Sequence, residues 1–497
     1  MIRMIVSILL ALTLSTGALA SSDWSRTELL FAQTQLNALG YNAGYPDGIW
    51  GKKTETALRN FYANERVKVD GFAEFKKALS GAAKNYPKLP SDYFAGFGSQ
   101  WYLNIHNWGS GSSGKRRYFE PKNSDLSTYK KAGASVMRLQ LQVEAALFWR
   151  ECNWRSEANY ETHNNCYDKE FKNAADDKWL QKLNEIKSNK NPVIKEYVSA
   201  AKKLQKSGFH LIIVPQDFFW GNGGNWLVNS DIPLLHAYLE RDENFRITFN
   251  AFNQRLVREL VKNGVTQFSF QTLNEPRFCK DRLETRKWEK IERSIILSVR
   301  EISPNLEIIS SAICTASDRE LSNERRYNTL KRMLPRHKDI DNLVYALHLR
   351  NPRLLHIADH ASLQKNTTLA YPYSKLDPSV GLNQNTQKQI QVYNKNKPDY
   401  AFYDQIFKDI AATSKSLKRR IIITEWSISK PDYGLPASNR RALASDILTA
   451  SKKYGIPIIY NGLLGRDGLS NRDNLSTPYH DFDTELLQLF KRANKSS

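Results

Sequence analysis

The 497 residues leave room for a large core and more than one domain, and 41% of them are apolar. Lys and Arg number 72 against 51 Asp and Glu, a net charge of +21 spread along the chain rather than gathered in one tail. Such a field attracts polyanions, and no nucleic-acid recognition motif accompanies it. Acidic polysaccharide, cell-wall polymer or an anionic membrane surface are then the expected contacts, with a merely soluble basic surface as the alternative.

Residues 1–20 have the pattern of a signal peptide: Arg3 gives a positive start, 5–14 is an apolar run too short to span a bilayer, and Ala18-Leu19-Ala20 suits cleavage. An N-terminal membrane anchor is the alternative. No later segment is apolar for long enough to cross a membrane, so the expected product is exported, periplasmic or extracellular, with no transmembrane segment in the mature chain.

Residues 23–80 read as a small all-α unit. Helices are expected over 27–39, stopped by Gly40, over 53–64, with Thr54, Ala57, Leu58 and Phe61 on one face, and over 72–79. Gly44-Tyr45-Pro46-Asp47-Gly48 and Val69-Asp70-Gly71 supply the turns. The string Gln35-Leu36, Leu39-Gly40-Tyr41, Gly44, Asp47-Gly48-Ile49-Trp50-Gly51, Thr54, Ala57-Leu58, Phe61, Asp70-Gly71 resembles the peptidoglycan-binding-like domain, with Tyr62 where that family commonly has Gln. The resemblance implies peptidoglycan as a partner, although most of the matching residues are structural. Residues 81–91, with Pro87 and Pro90, read as a linker.

From residue 92 to 494, short apolar runs alternate with helical ones. Strands are expected at 101–105, 135–141, 210–215, 267–273, 307–311, 343–347, 420–424 and 456–460. The helices between them include 192–207, 246–261, 286–302, 399–416 and 440–454. Gly208, Gly264 and Gly455 sit where a left-handed cap closes a helix before a strand. Alternation predicts a parallel sheet, and eight units predict an α/β fold closed as a (β/α)8 TIM barrel. The doubly wound open sheet lacks its glycine-rich phosphate turn after the first strand.

Two glutamates mark the ends of strands four and seven, where such barrels keep their active sites. Glu275 follows Thr272-Leu273-Asn274 and precedes Pro276, and Glu425 lies in Ile423-Thr424-Glu425-Trp426. Two facing carboxylates are the minimum equipment for cutting a glycosidic bond, and a retaining mechanism needs them about 5–5.5 Å apart. Ion pairing of both with nearby Arg and Lys is the alternative.

These strand ends resemble those of clan A glycoside hydrolases, most closely family five, the cellulase-like family. Arg138 in Val136-Met137-Arg138-Leu139, Asn274-Glu275-Pro276, His348 in Tyr345-Ala346-Leu347-His348, and Glu425 carry the resemblance. It implies an exported, endo-acting retaining β-glycosidase with no cofactor and no metal. Glu275 is its acid/base, Glu425 its nucleophile, Asn274 its contact to the sugar 2-hydroxyl, and Arg138 the charge beside Glu425. Three departures concern substrate binding. Arg350 stands where the family has a tyrosine, Tyr460 and Asn461 end the eighth strand where it has a tryptophan, and Gln216-Asp217 replaces a third-strand histidine. Arg350 suits an acidic polysaccharide, and Tyr460 offers a smaller stacking platform. His106, Trp108, Trp220 and Trp426 are further candidates for sugar contacts. A transglycosylase and a catalytically silent, envelope-binding barrel are the competing functions.

The four cysteines match no zinc spacing, and an exported chain can pair them. Cys152 with Cys166 closes a short loop, and Cys279 with Cys314 joins the ends of strands four and five.

Overall fold

The computed structural model describes residues 23–39, 41–44, 46–65, 71–82, 87–101, 123–152, 166, 169–170, 176–188, 190–216, 234–274, 282–312, 337, 339–349, 387, 391, 399–426, 437–461 and 484–494. Two compact units make up the chain. One comprises the residues up to Tyr86, and the other runs from Pro87 onward apart from the short Val261–Thr266 segment.

In the front unit, Ser25 and Glu28 form a capping box. The Ser25 hydroxyl accepts from Glu28 N–H at 3.3 Å, and the Glu28 carboxylate accepts from Ser25 N–H at 2.9 Å. This starts α1 (Arg26–Ala38), which is followed by α2 (Lys52–Glu65) and α3 (Phe72–Ala82). Leu29, Leu36, Leu58, Phe61, Phe75 and Leu79 bury the three helices against one another. Gln33, 1% exposed, organises the turn between α1 and α2. Its Oε1 accepts from Asp47 and Gly48 N–H, and its Nε2 donates to Asp47 Oδ1, Ile49 O and Thr54 Oγ1. One buried amide thus satisfies five polar groups, which is why the Asp47-Gly48 turn keeps its shape.

The second unit is a closed barrel of eight parallel strands in chain order. These are β1 (Phe94–Trp101), β2 (Val136–Gln142), β3 (His210–Gln216), β4 (Phe268–Gln271), β5 (Ile308–Ile309), β6 (Leu343–Leu349), β7 (Ile421–Trp426) and β8 (Ile458–Asn461). The described helices that accompany them are α4 (Asn123–Lys131), α5 (Val143–Leu147), α6 (Asp176–Lys187), α7 (Pro192–Lys206), α8 (Leu234–Arg241), α9 (Glu243–Lys262), α10 (Arg282–Ile302), α11 (Tyr400–Leu417), α12 (Ala437–Tyr454) and α13 (Thr484–Asn494). Gly208, Gly264 and Gly455 have the expected positive φ, at 82°, 78° and 66°.

β1 lies earlier than the apolar run 101–105 suggested. Its sequence, Phe-Ala-Gly-Phe-Gly-Ser-Gln-Trp, has the composition of a loop. Gly96 is nevertheless required, because a Cβ there would come within 1.8 Å of Val136 O, and Gly96 is the register partner of Val136. The glycine lets two barrel strands approach, so it marks a strand here rather than breaking one.

The linker expectation also fails for residues 87–90. Leu89 is 3% exposed and packs inside the barrel with Ala95, Val136, Ile212, Val344 and Ile459. Its N–H donates to Glu307 Oε1 at 2.7 Å, and Arg420 donates to Leu89 O and Pro90 O. Glu307 and Arg420 sit where β5 and β7 begin, so this segment plugs the end of the barrel opposite the candidate site.

The Glu307 carboxylate that holds the plug also links, through Ser269, to a buried histidine at the start of β3. Ser269 donates to Glu307 Oε1 at 2.8 Å, so the His210 Nε2–H donates to Ser269 Oγ at 2.8 Å. Burial, with Arg420 nearby, pushes His210 down to about 3. An unfolded histidine titrates near 6.5, so between those values the unfolded chain binds the extra proton. This contribution is complete above about pH 6.5 and falls by about 1.4 kcal/mol per pH unit as the solution is acidified. In urea titrations the stability gap between wild type and His210→Gln should therefore narrow between pH 6.5 and 4.5. A gap independent of pH would contradict this account.

Candidate active site

Alternation along β2 turns Val136, Arg138 and Gln140 inward. On β6 it does the same for Val344, Ala346 and His348, since Val136, Val344 and Ala346 belong to the interior cluster. On β7 the same rule would turn Ile422 and Thr424 inward and Glu425 outward. The register shows why it does not. Leu347 pairs with Ile423, but His348 pairs with Glu425, so Thr424 is an extra residue in β7. This bulge re-aims Glu425 into the barrel beside His348.

Arg138, 0% exposed, is the centre of the site. Its Nε donates to Gln271 Oε1 at 2.9 Å, one Nη donates to Asn274 Oδ1, and the other lies 3.6 Å from Glu425 Oε2. His348 Nδ1 lies 3.7 Å from the same carboxylate oxygen. At these distances neither is a hydrogen bond; the guanidinium makes a charge contact with Glu425 and the imidazole packs beside it. The Glu425 side chain keeps 13% of its surface open, enough to meet a ligand. Gln140 Nε2 donates to Asn274 Oδ1 at 3.5 Å. With Oδ1 occupied from two sides, the amide of Asn274 is oriented and its Nδ2–H group is left as a donor. Among the described residues, no group of three or more His, Cys, Asp or Glu could hold a metal ion.

The structure thus brings together Arg138, Asn274, His348 and Glu425 from β2, the end of β4, β6 and β7. Trp426 and Tyr460 are placed elsewhere. Their rings meet edge to face at 5.0 Å, and Tyr460 lies 5.3 Å from Phe490 of α13, which stacks on Phe94 at 4.3 Å. Tyr460 is 0% exposed and Trp426 1%, so both rings fill the layer between the barrel wall and α13 and neither serves as a sugar platform. Parity explains this: Ile459 belongs to the interior cluster, so its neighbour Tyr460 faces out. Asn461 closes β8 opposite Gly98.

Glu275, Arg350, His106, Trp108, Asp217, Trp220, Cys279 and Cys314 lie outside the described residues. The Cys152–Cys166 bridge is formed, with its Cα atoms 5.7 Å apart. Gln140 and Gln271 were not anticipated. Gln140 was accessible from the two-residue period, being one step beyond Arg138 on the same face.

Residues 25–75 match the family described as putative peptidoglycan binding domain. No curated protein matches the chain. Among solved structures, the chain is similar to a GH5-4 broad specificity endoglucanase from Clostridium longisporum at 14% identity, covering 81% of this chain and 97% of that one with a TM-score of 0.46. It is also similar to a family 5 xyloglucanase from Paenibacillus pabuli at 13% identity, covering 82% and 99% with a TM-score of 0.47. The cellulose synthase subunit Z from Clostridioides difficile is 14% identical, covering 80% and 99% with a TM-score of 0.43. The matched family thus covers the front module alone, and the chemistry of the barrel rests on its own side chains.

Proposed function

We propose that the barrel is an endo-acting, retaining β-glycosidase that cuts a bacterial exopolysaccharide or cell-envelope glycan. The observation that carries this is Glu425, a carboxylate turned into the barrel mouth by a bulge and flanked by Arg138 and His348, with the same arginine orienting Asn274. In this proposal Glu425 attacks the anomeric carbon while Glu275 gives its proton to the departing oxygen. Glu275 then takes a proton from water, which attacks the same carbon and releases Glu425. The Asn274 amide donates to the 2-hydroxyl, a contact that strengthens as charge builds in the transition state. Export through residues 1–20 and anchoring of the enzyme to peptidoglycan by residues 23–80 complete the proposal. The Cys152–Cys166 bridge suits an oxidising compartment.

Purified protein should be tested on neutral β-glucans and mannans, on acidic exopolysaccharides and on peptidoglycan. The anomer first released should be followed by NMR before it mutarotates. Release of the β-anomer supports the mechanism. Release of the α-anomer, or no product from any polymer, overturns it. A preference for the acidic polymers would assign their anionic groups to Arg350 and the basic surface, and a preference for neutral ones would remove that refinement.

A further inference from the structure

Glu292 on α10 is 0% exposed, and no step of the proposed reaction uses it. Its Oε1 accepts three hydrogen bonds, from Thr272 Oγ1 at 2.8 Å, from Ser311 N at 2.6 Å and from Ser311 Oγ at 2.7 Å. Its Oε2 lies 3.0 Å from Nε2 of His337, itself 2% exposed and held at a positive φ of 56°. Trp288, one turn earlier on α10, donates from Nε1 to Ser311 Oγ at 2.9 Å, which fixes the direction of that hydroxyl.

A carboxylate is expensive to bury, and three converging donors with the His337 ring beside them are what make it tolerable. Their location is informative. Thr272 and Ser311 stand just beyond the C-terminal ends of β4 and β5, the face on which Glu425 lies. Regular pairing has stopped there: β4 ends at Gln271 and β5 at Ile309. Two isolated backbone bonds continue it, Thr272 N to Ile309 O and Ala312 N to Asn274 O, both 3.0 Å. Glu292 binds the side chains of this same stretch from behind. Asn274 must be held within a fraction of an ångström if its Oδ1 is to meet Arg138, and it lies beyond the last residue of β4, Gln271.

We propose that Glu292 is a positioning residue: by tying Thr272 and Ser311 together from α10 it fixes the segment that carries Asn274. Its catalytic consequence rests on the glycosidase function proposed above, whereas its structural consequence does not. The experiment uses the full-length chain with Glu292→Gln, Asn274→Ala and the double variant. Glutamine keeps the shape but places an NH2 group against donors. Hydrogen exchange at the Thr272 and Ala312 amides should accelerate at least about 10-fold in Glu292→Gln, while the amides of β2 and β3 keep wild-type rates. On a substrate found by the polymer screen, kcat should fall by about 10²-fold with KM little changed, the scale of a reacting group displaced by about 1 Å. In the Asn274→Ala background the same change should cost less than about threefold, because the group it positions is gone.

Equal losses in both backgrounds, or exchange that rises evenly through the barrel, would reduce Glu292 to a general stabiliser and overturn the proposal. Unchanged exchange at Thr272 and Ala312 would overturn it as well. If the wild type cuts no polymer, the glycosidase function fails and the exchange rates alone decide the positioning role. Thr272→Val removes a single donor from the carboxylate without changing the shape of the side chain. It should reproduce the local exchange effect if Glu292→Gln does not fold.

Discussion

Glu425→Ala should lower turnover of polysaccharide by on the order of 10⁴-fold or more, the scale on which loss of a nucleophile or its direct partner acts. Azide should then restore turnover of a substrate with a good leaving group, and the product distinguishes the roles of the two glutamates. Removing the carboxylate opens a space on the face opposite the leaving group. Azide entering there displaces the leaving group in one step and forms a glycosyl azide of inverted, α configuration. If Glu425 were the acid/base instead, azide would intercept a glycosyl-enzyme and the product would keep the β configuration. NMR of the isolated azide settles which applies. A β-azide would exchange the roles of Glu275 and Glu425, and wild-type turnover by Glu425→Ala would end the proposed mechanism. The side chain is 13% exposed, so a ligand of azide's size can reach the space it leaves.

Much of this site was legible because its signals are local. Asn274, His348 and Glu425 each sit at or just beyond the end of an apolar run, Arg138 is a lone charge inside one, and eight such runs predict the barrel that collects strand ends on one face. The failures arose where neighbours in space overrule neighbours in sequence. Gly96 and Gly98 look like loop residues until β2 lies alongside, so β1 was expected seven residues too late. Leu89 looks like part of a spacer, and only the barrel interior shows that it is a plug. Tyr460 sits at a strand end that invites a sugar platform, but its parity with Ile459 sends it outward to Phe490. The bulge at Thr424 has no sequence signature at all, and without it Glu425 would have faced the helices. Glu292 was invisible for a similar reason. One acid in a helix full of charged residues gains meaning only from Thr272, Ser311 and His337, which reach it from three other parts of the chain.

Arg138→Lys should keep the positive charge and still lose about 10²-fold in kcat/KM, because what the site uses is the shape of the guanidinium. Its three nitrogens point to three partners on two strands: Nε to Gln271 and one Nη to Asn274, both on β4 or its end, and the other Nη to Glu425 on β7. A lysine ammonium carries its donors on one atom at the end of a longer, flexible stem, so it can satisfy one of these partners well and not all three. The partner it abandons sets the loss. If lysine stays with Glu425, Gln271 Oε1 loses its donor at a cost of about 1–3 kcal/mol for an acceptor left unmade in a buried site, and Asn274 Oδ1 keeps only the long bond from Gln140. Arg138→Met loses the charge as well and should be destabilised further, by about 2–5 kcal/mol in all, since Gln271 loses its donor while Asn274 and Glu425 both lose the guanidinium. Urea denaturation of the two variants beside their kcat/KM values separates these effects. Lysine should sit between wild type and methionine in stability and close to methionine in activity. A lysine variant within threefold of wild-type kcat/KM would show that charge alone is enough, and that Asn274 takes its orientation from Gln140 and the β4 backbone instead.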